Sequence, residues 1–334
     1  MARILMVVWA QVLARFTASV QKHLSDEQQI SWLGSLLIPI ARIGFRNGET
    51  WTRLFDVAER MKVHILPVGY YSPVPDTSAL REDIWTERLD DIVKFDASAQ
   101  CALIGRLTPW AAEMTTTPEN PIGTGPVEYT WRNPVFNPVD ATIYYAMIRE
   151  FRPKRIIEIG GGYSTLVALQ AAERNTDTHV ICIEPNPREF LTAGRRRGLD
   201  RLIPSSLQDV SLEEFDVLEK GDMLFIDSTH ICQIGSDVNR VVFHLLPRIK
   251  PGVLIHFHDI FLPWNYPRHW SKEMKLFSNE QYLLLAFLMF NDSFEVLLAN
   301  CYLLTEQKEE MRRALPFLPD WAWKGACSLW MRRR

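Results

Sequence analysis

Five titratable side chains near the middle of the chain have the types and spacing for proton transfer or metal ligation. They are Asp227 and His230 in "FIDSTH", and His256, His258 and Asp259 in "GVLIHFHDI". An imidazole with an ordinary pKa near 6.5 can act as a general base at neutral pH. Carboxylates set beside imidazoles can also hold a divalent ion, and nitrogen ligands suit manganese, iron or zinc better than magnesium. Upstream, "RIIEIGGGYSTLVALQ" brings Glu158 and the run Gly160, Gly161, Gly162 to the start of a second apolar stretch, and Glu184 follows in "ICIEP". Small residues leading into a helix let the backbone approach an anionic or nucleotide-like ligand.

The elements that must position these groups are legible as a regular alternation. Strands are expected near 155–160, 179–184, 201–205, 222–227 and 252–258, with helices near 164–174, 187–197, 211–219 and 236–249. A further helix begins at Asn137, a capping residue followed by Pro138, and ends before Pro153. Near-continuous apolar strands joined by helical crossovers imply a doubly wound α/β domain with a mostly parallel sheet, whose ligand sits at the carboxyl ends of the strands. Asp227 then ends the fourth strand and His258 with Asp259 end the fifth, so the three converge at the mouth of the sheet. His256 shares a face with His258. It can complete a two-histidine, one-carboxylate iron triad with Asp227, but a lone histidine in an apolar run reads first as a packed core residue.

Residues 1–135 read as a helical cap for substrate or oligomerisation, and 136–334 as the catalytic domain. The first part mixes short helical patterns such as "GETWTRLFDVAERMKV" with proline-rich connectors. The apolar run "ILMVVWAQVLA" is bounded by Arg3 and Arg15. It is too short for a transmembrane helix, which needs about 20 residues, and reads as a buried helix face or a contact with a partner subunit or a membrane surface. A net charge of -3 over 334 residues gives no electrostatic reason to expect nucleic acid. Five scattered cysteines without a Cys-x-x-Cys pair argue against a disulfide framework and for the cytoplasm.

A nicotinamide fold shares the glycine loop and the second acid, but the third glycine of G-x-G-x-x-G would fall at Thr165. In order, E-I-G-G-G-Y-S, I-E-P, "SLQDV", "FIDSTH" and "GVLIHFHDI" resemble the class I S-adenosylmethionine-dependent methyltransferases, in particular the branch of catechol-type and cephalosporin-tailoring O-methyltransferases. The resemblance covers roughly residues 131–332 and implies a seven-stranded sheet closed by an antiparallel hairpin, for which "FEVLLAN" and "ACSLWMR" are the candidates.

The resemblance implies further that S-adenosylmethionine is bound by Glu158, Gly160, Gly161, Gly162 and Ser164 on the methionyl and ribose side. Glu184 would take the ribose hydroxyls, and Gln208 or Asp209 the adenine edge, with Asp227 and Ser228 beside them. Asn133, Phe136 and Asp140 lie where such enzymes close over the cofactor. Asp227, His258 and Asp259 would hold a divalent metal (magnesium, manganese or iron). His230 stands where catechol-type enzymes place a lysine base, so His230, Asp227 and His258 are the expected catalytic residues. Trp264, Tyr266 and Trp270 in "FLPWNYPRHW" are candidates for the wall of a small-molecule acceptor site. The implied activity is methyl transfer to an oxygen, or secondarily a nitrogen, of a small metabolite or sugar by a homo-oligomer. The alternative is a non-methylating enzyme on the same scaffold, a cyclase or metal-dependent oxygenase.

Overall fold

The computed structural model describes residues 25–28, 31, 34–35, 48–89, 91–121, 128–193 and 198–334. The apolar run 4–14 lies outside them. The chain divides into two compact units, Met1–Leu80 and Arg81–Arg334. Residues 81–135 thus group with the larger unit. In the first unit the described residues contain helix α1 (Gly48–Arg60), followed by a loop in which Tyr70 and Tyr71 are exposed.

The reason that residues 81–135 join the larger unit is helix α2 (Ala97–Ala111). Its Leu103, Ile104, Leu107 and Ala111 are buried, and it packs on α3 (Pro138–Phe151). The buried Gln100 accepts a hydrogen bond from Ala299 N at 2.9 Å, tying α2 to the last part of the sheet. Helix α3 starts as its sequence dictates: the Asn137 side chain accepts from Val139 N (2.8 Å) and Pro138 follows. It ends at Arg152 in the left-handed region, ahead of Pro153.

The sheet has seven strands: β1 (Arg155–Ile159), β2 (His179–Ile183), β3 (Leu199–Ile203), β4 (Met223–Ile226), β5 (Leu254–His258), β6 (Phe294–Ala299) and β7 (Ser328–Arg333). Their spatial order is β3-β2-β1-β4-β5-β7-β6. The first five are parallel; β7 runs antiparallel to both β5 and β6. Strands β4 and β5 are buried along their whole length, which is why they read as unbroken apolar runs. The flanking helices are less regular than expected. Residues 211–219 form only a 3₁₀ turn, Leu212–Phe215, and 236–249 split into α, π and 3₁₀ pieces, the last around Pro247, which has no N–H to donate. Between β2 and β3 the described helix is confined to Glu189–Thr192.

The strand order reverses between β1 and β4, since β1 continues to β2 on one side and β4 to β5 on the other. A crevice opens at the carboxyl ends of strands flanking such a reversal. Gly160 follows β1 and Asp227 follows β4, so both lie at its floor.

Candidate active site

The glycine loop is fitted by contact rather than by flexibility. Gly160 has φ +82° and a Cβ there would overlap the carbonyl of Asp227, while a Cβ at Gly161 would overlap the Cys182 sulfur. The Gly162 N–H donates to Thr165 Oγ1 (3.0 Å), so the residue that departs from the dinucleotide pattern closes the turn into helix α4 (Tyr163–Asn175). Glu184, after β2, accepts from Gly161 N (3.1 Å) through one oxygen and from Asn186 N (2.8 Å) through the other.

Two adjoining clefts open around this loop and share Asp227. One, of about 210 Å³, is lined by Val135, Phe136, Gly161, Gly162, Ser164 and Arg188 among others. The other, of about 300 Å³, is lined by Gly160, Glu184, Gln208, Ser228, Thr229 and Asp237 among others. Gly160, Gly161, Gly162, Ser164, Glu184, Gln208, Asp227 and Ser228 are thus brought together. Asp209 is not; it is exposed and accepts from Ser206 Oγ (2.6 Å). Glu158 is not a lining residue either. It lies fully buried beneath the loop, where Tyr144 donates to it at 3.0 Å. Burial pushes its carboxyl up to about 7, against the pull of the Thr165, Tyr144 and Ser164 hydroxyls.

Beside Asp227 stands a cluster of acids and imidazoles. His230, with φ +61°, places Nε2 at 3.2 Å from Asp227 Oδ1 and 3.3 Å from Asp259 Oδ2, and Nδ1 at 2.9 Å from Glu280 Oε2. Burial alone would lower its pKa, but the Asp227 and Glu280 carboxylates outweigh that and hold it well above the ordinary value. Asp227 feels burial upward and the imidazoles of His258 and His230 downward, and the downward pull wins. His258 is buried, with Nδ1 at 3.6 Å from Asp227 Oδ1 and 3.4 Å from Asp259 Oδ1. Asp227, His230 and Asp259 offer three ligand atoms mutually within 4.8 Å. His230 thus stands in this group where His258 was expected, and His258 groups instead with Asp140 and Cys327.

His256 does not reach the cluster. It stacks on Phe225 (4.1 Å between centroids, 10° between planes) and against Trp330 (4.8 Å), and neither ring nitrogen has a hydrogen-bond partner. Burial, followed by the charge of His258, drives its pKa well below the ordinary range, so the ring is neutral. The iron triad through His256 is excluded by this packing. Of the cover segment, Phe136 is a cleft wall, but Asn133 only folds its own turn, bonding Thr130, Val135 and Phe136 main-chain atoms. Asp140 is buried behind His258 and accepts from Asn300, Ser328 and the Cys327 N–H. Tyr266 and Trp270 stack on one another (5.6 Å) and meet Phe261 edge to face, and Trp264 stacks on Tyr302.

Sequence reasoning missed Asp237, Arg188 and Glu280. Asp237 follows the capping Ser236 and was legible only as a helix start; it accepts from Thr229 N and Oγ1. Glu280 lies fifty residues from His230 in the first turn of helix α5 (Glu280–Met289), and nothing local marks it.

A family model described as a methyltransferase domain matches residues 157–260, from the middle of β1 through Ile260. A protein of Archaeoglobus fulgidus, itself uncharacterized, is 33% identical over a stretch covering 47% of this chain and 75% of that one. Among solved structures, the chain is similar to the O-methyltransferase TomG from Streptomyces achromogenes, involved in tomaymycin synthesis and solved with S-adenosylmethionine (14% identity, 72% of this chain and 91% of that chain, TM-score 0.36). It is also similar to an O-methyltransferase from Bacillus cereus solved with S-adenosylhomocysteine (15%, 70% and 91%, 0.35). The matched segment carries the glycine loop and both acidic strand ends and lies within the 3-2-1-4-5-7-6 sheet, so residues 157–260 form a methyltransferase domain.

Proposed function

We propose that the protein transfers the methyl group of S-adenosylmethionine to an oxygen of a small hydroxylated molecule. The observation that carries this reading is the double role of Asp227. It ends β4 on the floor of both clefts and also faces His230 and His258, so a methyl donor seated by the glycine loop lies next to groups that can handle the acceptor's proton.

In such a displacement the acceptor oxygen attacks the methyl carbon in line with the departing sulfur. The C–S pair leaves as the neutral thioether, and the hydroxyl proton must go to the protein or to water. The chain supplies alignment, proton uptake and a dry site. In this reading Glu184 takes the ribose hydroxyls; it lines the larger cleft with Gln208 and Asp237, and Val135 with Phe136 line the smaller one. The Asp227 and Glu280 carboxylates favour the protonated form of His230, so in the metal-free protein it balances charge, and the acceptor's proton passes to the carboxylate cluster or to water.

The donor set also fits a divalent cation. Asp227, His230 and Asp259 would hold it, and such an ion lowers the pKa of a bound hydroxyl. A second reading, an S-adenosylmethionine-binding enzyme that does not methylate, such as a cyclase or metal-dependent oxygenase, draws on the two imidazoles that face one carboxylate pair. Calorimetric titration with S-adenosylmethionine tests the common premise, and mass spectrometry of small hydroxylated acceptors after incubation separates the readings. Absence of binding heat with both S-adenosylmethionine and S-adenosylhomocysteine would sink them both.

A further inference from the structure

We infer that Glu280 is a positioning residue that presents Nε2 of His230 to Asp227 and Asp259 as the nitrogen ligand of a divalent transition ion. The inference deepens the reading above, on which it rests.

Glu280 is 1% exposed and spends both oxygens on this task. Oε2 lies 2.9 Å from His230 Nδ1, and Oε1 accepts from Ser228 Oγ at 3.0 Å; the same Ser228 hydroxyl accepts from His230 N at 3.1 Å. The N–H groups of Asn279 (3.0 Å) and Glu280 (3.2 Å) close the arrangement on the His230 carbonyl. Ring and main chain of His230 are thereby fixed from the start of one helix. A histidine whose Nδ1–H is taken by a carboxylate leaves Nε2 as the lone-pair donor, the arrangement that orients imidazoles toward metals.

The separations suit a shared ion. Bonds of about 2.0–2.2 Å to one cation put neighbouring ligand atoms about 3.0–3.5 Å apart, and Nε2 stands 3.2 and 3.3 Å from the two carboxylates. A second observation comes from a fourth residue. His258, 4% exposed, aims Nδ1 at the same two carboxylates from 3.4 and 3.6 Å, beyond ordinary hydrogen-bond length, and its Nε2 has no hydrogen-bond partner. Nitrogen beside oxygen in a ligand set favours manganese, iron or zinc over magnesium.

The test uses the full chain, freed of metal by chelation and titrated with Mn²⁺ alone, with free ion read from its electron paramagnetic resonance signal. One Mn²⁺ per chain is expected, with Mg²⁺ a weak competitor. Glu280→Gln should weaken Mn²⁺ by about 10- to 100-fold while leaving the heat of S-adenosylmethionine binding unchanged. With Cu²⁺ as the probe, pulsed resonance should show imidazole nitrogen coupling that His230→Ala removes. No Mn²⁺ uptake, equal affinity for Mg²⁺, a folded Glu280→Gln that binds like the parent, or nitrogen coupling that survives His230→Ala each overturns the inference. Should Glu280→Gln fail to fold, the parent's competition titration and the His230→Ala spectrum still decide it. A parent that binds S-adenosylmethionine but no Mn²⁺ refutes this inference alone; one that binds no S-adenosylmethionine refutes the reading beneath it.

Discussion

Glu184 reaches across from the end of β2 to accept the Gly161 N–H at 3.1 Å, while its other oxygen accepts from Asn186 at 2.8 Å. One carboxylate thus ties the two loops that form the floor of the larger cleft and lines that cleft itself. Replacing it by alanine should weaken S-adenosylmethionine binding by about 1.5–3 kcal/mol, the range for hydrogen bonds to a charged group. Titration calorimetry reads this directly, and unchanged affinity would remove Glu184 from the site.

Gly160 is where β1 meets the main chain of Asp227. Alanine there meets a positive φ and the Asp227 carbonyl together. The left-handed conformation alone costs about 1–2 kcal/mol for a residue with a Cβ, so Gly160→Ala should lower the melting temperature and abolish cofactor heat. A variant that melts and binds like the parent would show that the loop has more room than this contact allows.

The buried Glu158 gives stability a pH dependence of definite sign. Its folded value, about 7, lies above the unfolded carboxylate value, so between these the native state holds more protons and stability falls as pH rises; above about pH 7 the loss is complete. The difference corresponds to about 3 kcal/mol. Glu158→Gln should therefore raise the melting temperature at pH 8 and change it little near pH 4. A greater gain at the acidic end would contradict the assignment.

Asp140 anchors α3 to β7 and to Asn300 rather than closing over a cofactor. Alanine in its place strands the buried Cys327 N–H and the Ser328 hydroxyl proton, while Asn300 keeps only its bond to Ser328 Oγ (2.8 Å), at about 1–3 kcal/mol for each group left unsatisfied. Chemical denaturation of Asp140→Ala should show a large loss of stability, and parent-like stability would refute the anchoring role.

His256 is an aromatic of the core. His256→Phe keeps the stack on Phe225 and removes two unpartnered nitrogens, so it should be neutral or stabilising and leave metal and cofactor titrations unchanged. Loss of bound metal in this variant would restore the triad excluded above.

The sequence by itself determined the periodic features. Apolar strands ending in Glu184, Asp227 and Asp259, glycines after β1, and the cap at Asn137 are local patterns set by backbone geometry and burial, and they sufficed to place the parallel strands, while the antiparallel closing pair and most of the cleft residues followed from the resemblance to the methyltransferases. Only the tertiary structure decided which acids face that cleft. Glu158 and Asp209 follow the same motif logic as Glu184 and Gln208, yet one is turned under the loop and the other out to solvent. It alone joined Gln100 to β6 and Glu280 to His230. Such pairings depend on which faces meet when helices pack on the sheet, and residues separated by fifty or two hundred positions leave no periodic trace of that meeting.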